Sequence, residues 1–154
     1  VSDLGKEEET ITRLSRVGFD NVLGHLQGGF EAWEKASKEI DSVKRISAEQ
    51  FAKEVKIGTD KVIDIRKEGE YSAEHLDEAY SKPLAYINDW VGNINPDEHF
   101  FLHCAGGYRS MIAASILQAR GYRNFTEVEG GFNGIKKTEK VPTTDFVCQS
   151  KTAL

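Results

Sequence analysis

Phe100-Phe101-Leu102-His103-Cys104-Ala105-Gly106-Gly107-Tyr108-Arg109-Ser110 is the stretch whose reading decides the fold. Three apolar residues lead into His103 and Cys104, as in a short buried strand. From Arg109 the chain runs on as SMIAASILQA, which is strongly helical. The order is strand, tight loop, helix, with a thiol at the first loop position. Gly106 and Gly107 accept a positive φ without a Cβ penalty, so the backbone can curl until successive N–H groups point inward. Such a concave nest at a helix N-terminus attracts an anion. A cysteine at its rim has its thiolate stabilised and its pKa lowered, and the thiolate is the reactive form. Cys104 is therefore the candidate catalytic residue, and Ala105, Gly106, Gly107, Tyr108 and Arg109 form the candidate anion loop. Arg109 adds a fixed charge with forked donor geometry.

Outward from this stretch, strands and helices alternate. Val43–Ile46 reads as an edge strand, and Ser47 caps a helix over AEQFAKEVK, residues 48–56. Lys61–Ile65 (KVIDI) is a buried parallel strand by its β-branched content. Asp64 and Arg66 stand at its C-terminal end, the edge where open α/β sheets place their sites. They read as a supporting ion pair, made with Glu70 or nearby backbone. Leu84, Ile87, Val91 and Ile94 draw a helical stripe, with Trp90 at its margin. The helix from Arg109 to Arg120 is apolar nearly all round, Gly121 stops it, and Phe125–Val128 is a last strand. The alternation argues for an α/β fold, an open parallel sheet with helices on both faces. Residues 139–154 lack periodicity and are expected to be a poorly ordered or edge-wrapping tail.

The first forty residues carry a repeat. Leu14, Gly18, Phe19 and Asn21 match Leu117, Gly121, Tyr122 and Asn124 in type and spacing. After one extra residue, Gly28-Gly29-Phe30 matches Gly130-Gly131-Phe132, with Trp33 opposite Ile135. Each copy reads as a helix stopped by Gly, a short strand, a Gly-Gly turn and another short helix. At the same spacing Val1 falls opposite Cys104 and Lys6 opposite Arg109, so the first copy holds no nucleophile. Residues 1–40 are thus expected to be the C-terminal half of an inactive upstream repeat, and residues 41–138 the main domain. The bland alternative is a chance recurrence of helix, Gly and strand. A fragment of this size buries too little surface to stand alone, so it must dock on the main domain, pair in a homodimer, or belong with a half outside this sequence. Phe30 and Trp33 make it a candidate contact surface; their local packing on Leu14 and Val22 is the simpler view.

The chain of 154 residues is 39% apolar and 29% charged, an ordinary globular composition. Its net charge of −5 and lack of a basic stripe argue against nucleic acid as a partner. No apolar run approaches the about 18 residues that span a bilayer, so no membrane partner is expected. The opening VSDLGKEEET is no signal peptide, and without an initiating Met it reads as a processed or excised segment. Two cysteines, Cys104 and Cys148, give no disulfide framework and point to the cytoplasm. Cys148 reads as incidental, its alternative role being a resolving thiol near Cys104. Four histidines in no clustered pattern leave no metal site, and no cofactor is called for.

Taken together, VIDIR, Glu70-Tyr71, His75, Ala79, Pro83-Leu84, HCAGGYRS, and the closing Gly-Gly-Phe turn resemble a rhodanese-homology domain over roughly residues 42–137. The loop is the specific part. Its form, with a degenerate half-copy upstream, is similar to the tail of bacterial fusions in which a metallo-β-lactamase-fold persulfide dioxygenase precedes rhodanese domains. That resemblance implies a rhodanese-like fold and a persulfide dioxygenase domain as partner outside this chain. It also implies that His75 is a hydrogen-bonding structural residue. Glu74 and Glu78 stand where the family usually has Gly, and Lys82 replaces an apolar residue, departures that concern local backbone and not the loop.

The activity implied is sulfur transfer. Cys104 takes a sulfane sulfur from thiosulfate or a low-molecular-weight persulfide and passes it, as a Cys104 persulfide, to a thiol or cyanide. Inward N–H groups stabilise the anion first at one sulfur and then at the next. Arg109 has two open roles, binding an anionic donor or holding the loop closed. Tyr108 lines the donor entrance or merely packs. His103 points away from the loop mouth if the strand alternates. The rival enzyme is a cysteine phosphatase or arsenate reductase. Those loops place one residue more between Cys and Arg than the four found here, and no Asp acid is assignable. A non-catalytic interaction module on the same fold is the third reading.

Overall fold

The structure is a computed structural model, describing residues 2–16 and 18–147. Val1 and Cys148, on which two of the expectations above fall, lie outside the described residues. The chain divides into two units, residues 1–42 and residues 43–154.

In the first unit, helix α1 spans Glu7–Ser15 and helix α2 spans Gly29–Lys35. No residue of either helix is buried. The short strand expected between them is absent: residues 19–26 adopt no regular structure. A strand is stabilised by ladder partners, and this stretch has none. The glycine turns of the two segments share a backbone conformation. Gly18, Gly28 and Gly29 have φ of 91°, 79° and 60°, against 90°, 78° and 54° at Gly121, Gly130 and Gly131. Phe19 N–H donates to Leu14 O at 3.0 Å, and Tyr122 N–H to Leu117 O at 3.0 Å.

The second unit is a five-stranded, all-parallel sheet. Its strands are β1 (Arg45–Ser47), β2 (Lys61–Asp64), β3 (Tyr80–Ser81), β4 (Phe100–His103) and β5 (Phe125–Glu129). The spatial order is β1-β5-β4-β2-β3, which puts β4 at the centre. Side chains alternate across it: Phe100 and Leu102 enter one core, Phe101 the other. The first core is closed by helix α5 (Ile87–Trp90) with its flanking 3-10 turns and by helix α6 (Tyr108–Ala119). The second is closed by helix α3 (Ala48–Glu54) and helix α7 (Gly131–Lys137). Between β2 and β3 lies helix α4 (Glu68–Ala73).

Four local expectations need correction. Helix α3 ends at Glu54, because Val55 turns extended. The 84–94 stripe is a 3-10 turn, one α turn and a second 3-10 turn, with Gly92 in the last. Glycine is a poor helix former. Trp90 is buried in the core, not marginal, and its Nε1 donates to Pro83 O at 3.0 Å. Helix α6 buries one face only, Ser110, Ala113, Ala114 and Leu117, while Ile112 is exposed. The described part of the tail wraps an edge: Val141 is buried, Thr143 bridges Leu76, and Thr144 N–H donates to His75 O.

Candidate active site

Strand β4 delivers Cys104 to the C-terminal edge of the sheet, and helix α6 starts at Tyr108. Gly107, at φ 102°, makes the turn between them. That left-handed conformation aims the Gly107 N–H at the sulfur, 3.1 Å from Sγ. Cys104 is only 1% exposed. The expected position at the rim is therefore wrong: the thiol sits on the floor of the cup, because the loop folds over it. Burial pushes the thiol pKa up, while a Ser110 hydroxyl turned toward the sulfur and the backbone N–H groups of Ser110, Gly107 and Gly106 pull it down. The net direction is below that of an ordinary thiol.

Helix α7 holds the other side of the loop. Phe132 N–H donates to Cys104 O at 2.7 Å, and Asn133 N–H to Ala105 O at 3.0 Å. The approach is so close that a Cβ on Gly131 would lie 2.3 Å from Cys104 O. With its carbonyls bound outside, the loop has its N–H groups free to face inward. Ala105 is half-buried and Gly106 exposed, and Tyr108 is 81% exposed, so the tyrosine stands off the loop without packing on it.

Arg109 is gripped by Glu70. Its two terminal nitrogens donate to the carboxylate at 2.6 and 2.8 Å, a bidentate pair. The hydrogen bond from Arg109 holds Glu70 at a pKa of about 2. Glu70 also accepts from Lys67 N–H at 3.2 Å, which fixes it at the start of α4. This pair ties Arg109, at the start of α6, to Glu70 of α4. Beside it opens a cavity of about 260 Å³, lined by Ile65, Lys67, Pro83, Leu84, Ala85 and Arg109. Ile65 and Leu84 pack in the same apolar cluster as Cys104.

Asp64 and Arg66 pair with each other, not with Glu70: Arg66 Nε and a terminal nitrogen reach Asp64 at 2.8 and 2.6 Å. Arg66 also donates to Glu74 O and lies over the Phe132 ring. The pair thereby ties the loop after β2 to α7. His103 is fully buried, its Nδ1 3.2 Å from Cys104 O, and burial lowers its pKa. His75 stacks on Tyr71 with Nδ1 2.8 Å from Tyr71 O.

Three side chains at the site were missed from the sequence: Ser110, Glu127 and Arg45. Ser110 Oγ lies 3.4 Å from Cys104 Sγ and 2.6 Å from Glu127 Oε1. Glu127 is 0% exposed and accepts from Arg45 Nε at 2.8 Å. A signal existed, since Glu127 is a charge inside an otherwise buried strand, and such a charge needs a partner. Among the described residues no group of three or more His, Cys, Asp or Glu is placed to hold a metal ion. Nor is any of their helices long and apolar enough to cross a membrane.

A parallel α/β sheet with a cysteine in a strand-to-helix loop and an arginine at the helix start defines a class of cysteine-loop domains. Within that class the family is plain: this chain belongs to the rhodanese-like domain family, whose model matches residues 47–138. It is 33% identical to the thiosulfate sulfurtransferase GlpE of Pseudomonas entomophila, over 60% of this chain and 84% of that protein. A protein of Bacillus subtilis named as a sulfur carrier is 26% identical over 71% of this chain, which spans 59% of that protein's length. Among solved structures, a rhodanese-like domain protein of Staphylococcus aureus superposes with a TM-score of 0.53 at 27% identity, covering 60% of this chain and 91% of that one.

Proposed function

We propose that the second unit is a sulfurtransferase in which Cys104 carries a sulfane sulfur. The supporting observation is the Gly107 N–H 3.1 Å from Cys104 Sγ, in a loop whose carbonyls are tied to α7. The thiolate attacks the outer sulfur of thiosulfate or a small persulfide. A new S–S bond forms, the donor's S–S bond breaks, and its electron pair leaves with sulfite or a thiolate. An acceptor thiol or cyanide then removes the outer sulfur. Loop amides stabilise the charge at both positions without reorganising. The cavity beside Arg109 is the donor's approach, and the covered thiol requires the loop to give when the donor arrives.

Incubation with thiosulfate or glutathione persulfide, followed by intact mass, is expected to show one added sulfur, lost in Cys104→Ser. Cyanide should discharge it as thiocyanate. The 1% exposure of Cys104 favours one competing reading, a non-catalytic rhodanese fold; absence of any added sulfur with either donor would support it. Turnover of para-nitrophenyl phosphate in place of sulfur loading would support a phosphatase.

A further inference from the structure

Ser110 carries one hydroxyl proton and faces three acceptors. Glu127 Oε1 is 2.6 Å from Ser110 Oγ, Gly107 O is 2.9 Å away and Cys104 Sγ 3.4 Å. The carboxylate is wholly buried, is paired with Arg45 Nε at 2.8 Å and is the nearest of the three, so the hydroxyl donates to Glu127. Ser110 Oγ then turns a lone pair toward the sulfur. A lone pair suits a neutral sulfur, which is a thiol or the inner atom of a persulfide. It opposes a thiolate, so with the hydroxyl turned to Glu127 the thiolate is held by the backbone N–H groups of Ser110, Gly107 and Gly106 and not by the Ser110 hydroxyl.

We propose that Glu127, acting through Ser110, biases Cys104 toward the sulfur-loaded form, so that the site holds sulfur instead of releasing it readily. The inference rests on the sulfurtransferase reading above. When the thiolate attacks, its electron pair becomes the new S–S bond, the donor's S–S bond breaks, and sulfite leaves with the displaced pair. The negative charge has then moved one atom outward, away from Glu127 and toward the loop amides. With an effective dielectric of about 20 and the charge moving from roughly 6 to roughly 8 Å, Coulomb's law alone gives about a threefold bias. Glu127 touches no reacting atom and is a positioning residue. The other charged or titratable groups facing it are Arg45 from β1 and His103 from β4. Glu129, on its own strand, reaches Arg45 at 3.6 Å.

The test uses the full chain and two variants, Glu127→Gln and Ser110→Ala. Thiolate formation at Cys104 is followed by ultraviolet absorbance against pH. Sulfur loading is measured by intact mass at fixed thiosulfate-to-sulfite ratios, above the thiol midpoint of every protein. Glu127→Gln is expected to lower the midpoint by about half to one unit and to cut the loaded-to-free ratio about three- to tenfold. Ser110→Ala is expected to titrate within about 0.3 unit of wild type, because the hydroxyl does not donate to sulfur. In the Ser110→Ala background, Glu127→Gln should move the midpoint less than it does alone. A Ser110→Ala midpoint raised by about one unit would show donation to sulfur and overturn the inference even if Glu127→Gln failed to fold. Normal wild-type loading, with Glu127→Gln loading and titrating as wild type, overturns this inference alone. A wild-type chain that accepts no sulfur overturns the sulfurtransferase reading instead.

Discussion

Arg109 is the residue at which charge and shape separate most cleanly. Both terminal guanidinium nitrogens are occupied by Glu70, so its contribution at the loop is geometric as much as electrostatic. Arg109→Lys keeps the charge and loses the fork. Slackening the start of α6 displaces the loop amides from the sulfur, and misplacement of that order costs roughly 10- to 100-fold in rate. Stopped-flow or quenched loading with thiosulfate should therefore show Arg109→Lys slower by about that factor. A wild-type loading rate would assign Arg109 to charge alone. Cys104, His103 and Arg109 were legible as neighbours because they share one short segment. Glu70 and Glu127 were not, because the chain between each of them and the loop encodes nothing about where it returns.

At the scale of elements, the junction of the loop with α7 leaves no room for a side chain at Gly131. A side chain at Gly131 would press on the Cys104 and Ala105 carbonyls, and its φ of 54° is costly for other residues. Gly131→Ala is expected to destabilise the protein by about 2 kcal/mol or more, with loss of sulfur loading, measured by urea unfolding and intact mass. A stable, fully loading variant would mean that the loop does not need α7. Glu78 gives the opposite case. It holds φ 59° where the resemblance places glycine, so the turn keeps its shape and the glutamate bears the strain. Glu78→Gly should raise stability by up to about 1 kcal/mol, the left-handed penalty less the entropy of glycine. A loss of stability would show that the Glu78 side chain, lying beside Gly58, matters more than its backbone. The Gly-Gly turn before α7 was readable from sequence; its function as a clamp on the loop was not.

For the molecule as a whole, stability should rise with pH across two windows. His103 is fully buried with its pKa lowered chiefly by burial, and His99 is lowered for the same reason. The unfolded chain therefore binds more protons than the folded one below the ordinary histidine value of about 6.5. Glu70 titrates at about 2 in the fold against 4.5 in the unfolded chain, so the stability it lends at neutral pH is lost as pH falls from 4.5 toward 2. Urea midpoints should fall as the pH drops from 7 to 5 and fall again below 4.5. A flat profile from 7 to 5 would mean that His103 gains a proton within the fold. Fold class was legible at this scale, since alternating buried strands and helices leave few arrangements other than a parallel sheet covered on both faces. Strand order was not, and it is the order that sets β5, with Glu127, beside β4, which leads into Cys104.

The sequence by itself determined the strand–loop–helix that presents Cys104, the glycines that let the loop turn, and the repeat of glycine turns in residues 1–42. These are local properties, set by φ freedom, apolar periodicity and helix propensity within a few residues. Only the tertiary structure decided that the thiol lies under the loop, that Glu70 clamps Arg109, and that a buried carboxylate stands behind Ser110. Each depends on the distance between residues far apart in the chain, and the packing of the sheet fixes that distance.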